Sequence, residues 1–257
     1  MIPSALEHVQ EIGGRSRRLA VFLDYDGTLT PIVSQPDKAL LSGSTRQVVR
    51  TLAAHVPVAI LTGRDLDDIR RRVDIDEIAY AGSHGFDIAG PRELRKQMAA
   101  EFVPVLHAAE KELREKLAAI PGALLEPKSF SIAAHYRQAN ESGVIKITQA
   151  VNEAAARHRE LRKIAGKKVY ELQPDIDWNK GSAVLWLLEK LGLDQPDVLP
   201  LCIGDDRTDE DAFRALRQRG VGVIVSEQPR ATAARYALKD PAEVETFLRE
   251  LAAHLVQ

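Results

Sequence analysis

Short apolar runs punctuate the chain at Leu19–Leu23, Val56–Leu61, Ile78–Ala81, Val198–Ile203 and Gly220–Val225. Each is rich in Val, Ile or Leu and bounded by Gly, Asp, Ser or Thr, the pattern of strands buried on both faces of a parallel sheet. Helical periodicity falls between them, at Ser44–Ala54, Leu66–Val73, Gly181–Leu191, Asp209–Arg217 and Ala242–Leu255. Strand alternating with helix predicts an α/β fold with a parallel-sheet core and helices on both faces. The middle of the chain breaks the alternation. Met98–Ile120 reads as one amphipathic helix with Leu106, Leu113 and Leu117 on one face, and Ser142–Arg159 as another. Leu124–Arg137 and Leu161–Leu172 read as two long strands, so residues 91–174 are expected to form a second, inserted α/β domain between core segments 1–90 and 175–257.

Composition narrows the class without choosing a function. Over 257 residues, 45% hydrophobic and 28% charged content is ordinary for a globular chain. A formal net charge of −2 argues against nucleic acid, which usually calls for a basic face. The lone Cys202 excludes an intrachain disulfide and a cysteine-based zinc cluster. No apolar run reaches the roughly 18 residues of a membrane span. Residues 1–18 carry no signal-peptide core. A cytoplasmic monomer that binds neither nucleic acid nor membrane is the expectation.

Chemistry concentrates where strands give way to helices. Asp24 and Asp26 follow the first apolar run, and open α/β sheets bind ligands at the carboxyl ends of their strands. One carboxylate could attack an electrophile while the other moves the leaving group's proton. Two like charges so close call for a cation. A strand ending in a solvated Asx turn would use the same residues. Thr62-Gly63-Arg64-Asp65 offers a hydroxyl and backbone N–H groups at a helix start, an anion site or a plain N-cap. Lys180, at the start of a helix, opposes the helix dipole unless an anion accompanies it. In Gly204-Asp-Asp-Arg-Thr-Asp-Glu-Asp211, Asp209 and Glu210 serve as helix caps, whereas Asp205 does not and suits Mg²⁺.

These segments resemble the four motifs of the haloacid dehalogenase-like hydrolases, in their phosphatase branch and specifically the trehalose-6-phosphate phosphatases. The resemblance runs from about Arg18 to Leu251 and rests on Asp-Tyr-Asp-Gly-Thr-Leu-Thr-Pro-Ile (Asp24–Ile32) and Tyr-Ala-Gly-Ser-His-Gly-Phe-Asp-Ile (Tyr80–Ile88). Glu126-Pro-Lys128 continuing to His135-Tyr-Arg137, and Gly204–Phe213, complete it. It implies a Rossmann-like core with an α/β cap, and a Mg²⁺-dependent phosphatase working through an aspartyl-phosphate. By the same resemblance Asp24 is the nucleophile and Asp26 the acid/base. Thr62 and Lys180 hold the phosphoryl oxygens. The metal sits on Asp24, the Asp26 carbonyl and Asp205, supported by Asp209, with Asp206 open to the same role.

Sugar binding is implied for Glu126, Lys128 and Glu171, with His84 and Gly85 on a core loop and Gly63 and Arg64 beside the phosphate. Taken alone, Lys128 reads equally as a surface charge and Glu171 as a partner of Lys167 or Lys168. His135 and Arg137 alternate on an expected strand and so share a face. Asp87 stands where some relatives carry Glu. No synthase-like segment is present, so a stand-alone phosphatase is expected. Other sugar phosphates of the sucrose 6-phosphate or glycosyl-glycerate type keep the same chemistry. A phosphomutase or a non-catalytic module on this fold are the more distant alternatives.

Overall fold

The computed structural model describes residues 2–14, 18–33 and 35–256. The 1–18 stretch read above therefore lies partly outside the described residues. The chain divides into two compact units, Met1–Lys96 with Trp178–Gln257, and Gln97–Asp177.

Strands and helices are numbered along the chain. In the first unit the strands are β1 (Arg18–Leu23), β2 (Val58–Leu61), β3 (Ala79–Gly82), β4 (Asp87–Ala89), β5 (Arg95–Gln97), β10 (Val198–Gly204), β11 (Val221–Val225) and β12 (Tyr236–Leu238). They form one sheet in the order β12-β11-β10-β1-β2-β3-β4-β5. From β12 to β3 every pairing is parallel, and β4 joins β3 antiparallel. The helices of this unit are α1 (Val9–Ile12), α2 (Gly43–Ala53), α3 (Leu66–Val73), α6 (Lys180–Lys190), α7 (Asp209–Leu216) and α8 (Pro241–Val256).

Alternation along β1 explains the layers. Leu19, Val21 and Leu23 join a core with Val49 and Leu52 of α2, Ile69 of α3 and Phe247 of α8. Ala20 and Phe22 point the other way, into a core with Val184 and Leu188 of α6 and Phe213 of α7. Both faces of the sheet are thus sealed by helices, as buried parallel strands require. At the edge, Lys96 Nζ lies 5.3 Å from the ring centroids of both Trp178 and Trp186. The Trp178 indole N–H donates to the Gly85 carbonyl at 2.7 Å.

The second unit is a four-stranded antiparallel sheet, order β6-β7-β9-β8, with α4 (Val103–Leu117) and α5 (Glu141–Arg157). The strands are β6 (Leu124–Pro127), β7 (Ile132–His135), β8 (Leu161–Gly166) and β9 (Val169–Pro174). Each of the two long strands expected from sequence is therefore a hairpin. Lys168 turns the second one at φ +67°, a conformation usually left to Gly or Asn. Helix α4 is shorter than the expected span, with Pro104 in its first turn and a separate single turn at Ala100–Phe102 before it. Leu106, Leu113 and Leu117 of α4 pack with Ile147 and Val151 of α5 on Ile132, Ala134 and Leu172 of the sheet. Among the described residues, no helix is long and apolar enough to cross a membrane.

Candidate active site

Parallel register brings the four motif segments of the first unit together. Leu23 pairs with Ile203 on one side and Ile60 on the other, so the residues after these strands leave the sheet side by side. The Asp24 amide donates to the Ile203 carbonyl at 2.9 Å. Asp24, Asp205 and Asp209 are all buried, and one carboxylate oxygen from each lies within 4.8 Å of the others. Lys180 enters from the start of α6, where Asn179 caps the Ser182 amide. Its ammonium is 2.7 Å from both Asp24 Oδ1 and Asp209 Oδ1. The side-chain exposures of Lys180, Asp24 and Asp209 are 2%, 8% and 2%. Lys180, unfavourable for its helix dipole, is explained by these two anions.

Burial pushes Asp24 up to about 7 against the pull of Lys180, and the Asp205 and Asp206 charges add to the rise. Lys180 itself stays protonated: burial opposes its charge, but Asp209 and Asp24 hold it well above the ordinary ammonium range. One ammonium among so many carboxylates leaves negative charge in excess. The donor set, carboxylates without sulfur, suits a hard divalent cation.

The acidic residues divide the work. Asp209 Oδ2 accepts the amides of Asp205 and Asp206 at 3.0 Å each, while its Oδ1 takes Lys180. It thus folds the β10–α7 loop and orients the lysine. Asp206 Oδ1 accepts from Thr208 N, Thr208 Oγ1 and Asp209 N at 2.7, 2.8 and 3.2 Å, a cap that leads into α7. Burial opposes ionisation of Asp206, but Lys180 and the Thr208 bonds hold its carboxyl at about 2. Asp205 is placed otherwise. Its carboxylate lies against Gly27, whose φ is +91°, and a Cβ there would stand 2.3 Å from Asp205 Oδ2. Gly27 is required on both counts, the positive φ and the close approach.

Asp26 is held apart from the cluster. Its carboxylate takes the Arg64 fork, Nε to Oδ2 and Nη2 to Oδ1, both at 2.7 Å. Thr62 is buried, and its Oγ1 accepts the Arg64 amide at 3.2 Å, which leaves the hydroxyl proton to donate. The β3 end adds strain: Ser83 and His84 both adopt positive φ, +47° and +57°. Bonds from Ser83 N to Arg64 O (2.7 Å), His84 N to Thr62 O (2.8 Å) and Ser83 Oγ to Asp65 Oδ1 (2.9 Å) hold them. The His84 ring covers Gly63 so closely that a Cβ there would meet it at 2.7 Å. Asp87 pairs with Arg95.

In the second unit, cross-strand pairs Glu126–Ala133 and Ala133–Glu171 align the two acids on the sheet face opposite the helices. Glu171 Oε1 accepts from Lys128 Nζ at 3.1 Å and Ser131 Oγ at 2.6 Å. Glu126 Oε2 meets His135 Nε2 at 2.7 Å. Burial opposes the charge on Glu126, but His135 and Lys128 keep its carboxyl below the usual range. Arg137 falls beyond the end of β7, in a turn, and its Nη2 donates to the Lys167 carbonyl at 3.0 Å. The shared face expected for His135 and Arg137 does not form, because the strand stops at His135.

Sequence reasoning passed over three participants: Ser131 beneath Glu171, Arg230, which donates to the Asp205 carbonyl at 3.0 Å, and Asp68, which bonds Arg64 at 3.0 Å. Only the last left a signal, its place four residues after Arg64 and four before Arg72 on a helix.

The C-terminal domain of a Candida albicans trehalose-6-phosphate phosphatase superimposes with a TM-score of 0.85 over 98% of each chain at 24% identity. A trehalose-6-phosphate phosphatase of Aspergillus fumigatus gives 0.67 at 28% identity, over 98% of this chain and 99% of that one. The fold is that of a haloacid dehalogenase-like hydrolase. Trehalose-phosphate phosphatase B of Arabidopsis thaliana is 42% identical over 264 residues, 97% of this chain and 71% of that protein. The trehalose-phosphatase profile matches residues 22–242, so the chain belongs to the trehalose-phosphatase family, and it is a phosphoric monoester hydrolase.

Proposed function

We propose that the protein hydrolyses trehalose 6-phosphate to trehalose and phosphate through a phosphoryl group carried on Asp24. The observation that carries this is the convergence of Asp24, Lys180 and Asp205 at the carboxyl end of one parallel sheet, with Thr62 at the end of the adjoining strand. An Asp24 oxygen attacks phosphorus as the ester bond to the sugar breaks, and the sugar oxygen takes a proton from Asp26. Water, deprotonated by Asp26, then attacks phosphorus and returns Asp24 to a carboxylate. Lys180 and the Thr62 hydroxyl hold the phosphoryl oxygens throughout, the electrostatic support such a transfer needs. Mg²⁺, when bound, supplies positive charge against the phosphoryl oxygens. Asp24, Asp205 and the Asp26 carbonyl would hold it, while Asp209 supports from its bonds to the loop and to Lys180.

The second unit is the specificity cap in this reading. Glu126, Lys128, His135 and Glu171 combine acceptors and donors suited to the hydroxyls of a disaccharide. The test is phosphate release, with Mg²⁺ and with EDTA, from trehalose 6-phosphate beside sucrose 6-phosphate, glucose 6-phosphate and an aryl phosphate. Strong preference for trehalose 6-phosphate, abolished by EDTA, is the expected result. Preference for another sugar would discard the substrate and keep the chemistry. Turnover undiminished in EDTA would discard the metal.

A further inference from the structure

A run of alternating charges crosses the first unit behind Asp26. The Arg64 fork holds Asp26 with Nε and Nη2, and its remaining nitrogen, Nη1, donates to Asp68 Oδ2 at 3.0 Å. The same Asp68 oxygen accepts from Arg72 Nε at 2.7 Å. Arg72 Nη1 then donates to the carbonyls of Asp37 and Ala39 at 3.2 and 3.1 Å. The Ala39 carbonyl also accepts the Tyr25 hydroxyl at 3.0 Å, and the Tyr25 ring lies 5.4 Å from the Arg64 guanidinium carbon. Arg64 and Arg72 side chains are 10% and 11% exposed, against 29% for Asp68 and 39% for Asp26.

We propose that Asp68 is a positioning residue for the phosphatase reaction, fixing the Arg64 guanidinium so that its fork sets the plane of the Asp26 carboxylate. The proposal rests on the reading of Asp26 as the acid/base. A carboxylate turns easily about its last torsion, where wells are broad. Among the described residues, the hydrogen bonds to the Asp26 carboxylate come from Arg64, and a two-point fork fixes that angle. The fork is only as steady as the arginine that carries it. Arg64 sits one residue before the N-cap of α3, and Asp68 and Arg72 follow on the same helix face at intervals of four. Asp68 thereby ties Arg64 to a rigid element, and Arg72 ties Asp68 to the 37–39 segment. Loss of Asp68 leaves the Arg64–Asp26 pair in place but removes its tie to α3.

The test uses the leaving group. The parameter kcat/KM reports steps up to phosphoryl transfer to Asp24, for which Asp26 acts only as acid. A sugar oxygen needs that proton; 4-nitrophenolate does not. We expect D68A to lower kcat/KM about tenfold or more on the sugar phosphate the wild type uses best, the scale of a lost hydrogen bond between charged groups. On 4-nitrophenyl phosphate the loss should stay within about threefold, because general-acid assistance is what is withdrawn. D68N, which keeps the side chain's size, should show the same bias, and D26N a larger one. A clasp that merely stabilised α3 would lower the melting temperature and leave the ratio between substrates alone. Equal losses on both substrates, or none on either, would overturn the proposal while D26N keeps its bias. If D26N shows no bias, Asp26 is not the acid, and the proposal falls with that assignment.

Discussion

Replacing Lys180 by Met strands two buried carboxylates. The ammonium touches Asp24 and Asp209 at 2.7 Å each, and all three side chains are under a tenth exposed. Even at an effective dielectric of about 20, each contact is worth roughly 6 kcal/mol in gross attraction. The net figure is smaller, because the neighbours regain part by protonation, and breaking a buried pair costs about 3–5 kcal/mol. For a chain of this size that lowers the melting temperature by roughly 6–20 °C.

The direction with pH follows from the groups left behind. Asp24 already stands at about 7, held down by Lys180, so without the lysine it moves further above its unfolded value near 3.8. A carboxyl raised in the folded state gives stability that is complete below its unfolded pKa and is lost as pH rises through the folded one. The deficit of K180M should therefore be small at about pH 4–5 and widen through pH 7 and beyond. The assay is thermal unfolding of wild type and K180M in EDTA across that range, with K180M/D209N recovering part of the loss. A deficit that stays constant with pH, or none at pH 8, would show that Lys180 does not neutralise this cluster.

Further expectations bear on separate links. Asp24→Asn should cut phosphate release to background while circular dichroism stays unchanged, and measurable turnover would remove Asp24 as nucleophile. Gly27→Ala forces a Cβ to within 2.3 Å of the Asp205 carboxylate at a φ of +91°. It should lower stability by about 1–3 kcal/mol and raise the Mg²⁺ concentration needed for activity. Unchanged metal dependence would separate Asp205 from the cation. Lys128→Ala should lower kcat/KM for trehalose 6-phosphate by about 10- to 100-fold, and far less for an aryl phosphate. Equal losses would take Lys128 out of sugar recognition.

How legible all this was in the chain depended on whether the deciding signal was local. The β1 alternation of Leu19, Val21 and Leu23 against Ala20 and Phe22, and the α3 periodicity, sit within a few residues and read directly. The hairpins of the second unit did not read. Leu124–Arg137 carries no Gly, and Leu161–Leu172 turns on Lys168, a charged residue in a glycine-like conformation. Strands β4, β5 and β12 are three residues each, too short for any period to show. In the site, residue types and motif order placed Asp24, Thr62, Lys180 and Asp205 at strand or helix ends. The partners of each carboxylate stayed hidden, because they are set by register across the sheet. Asp26 finds Arg64 from 38 residues away, and Asp209 finds Lys180 from 29.

The placing of Lys96 between Trp178 and Trp186 gives the protein its own optical probe. These are its only two tryptophans, and they share one cation: Lys96 and Trp178 border the second unit along the chain, while Trp186 lies within α6. Tryptophan emission from the whole molecule thus originates around this one cation, with the long α4 and α5 helices contributing none. Any change in its wavelength or intensity when a sugar phosphate is added would be a signal from the surroundings of Lys96, Trp178 and Trp186, read without a label.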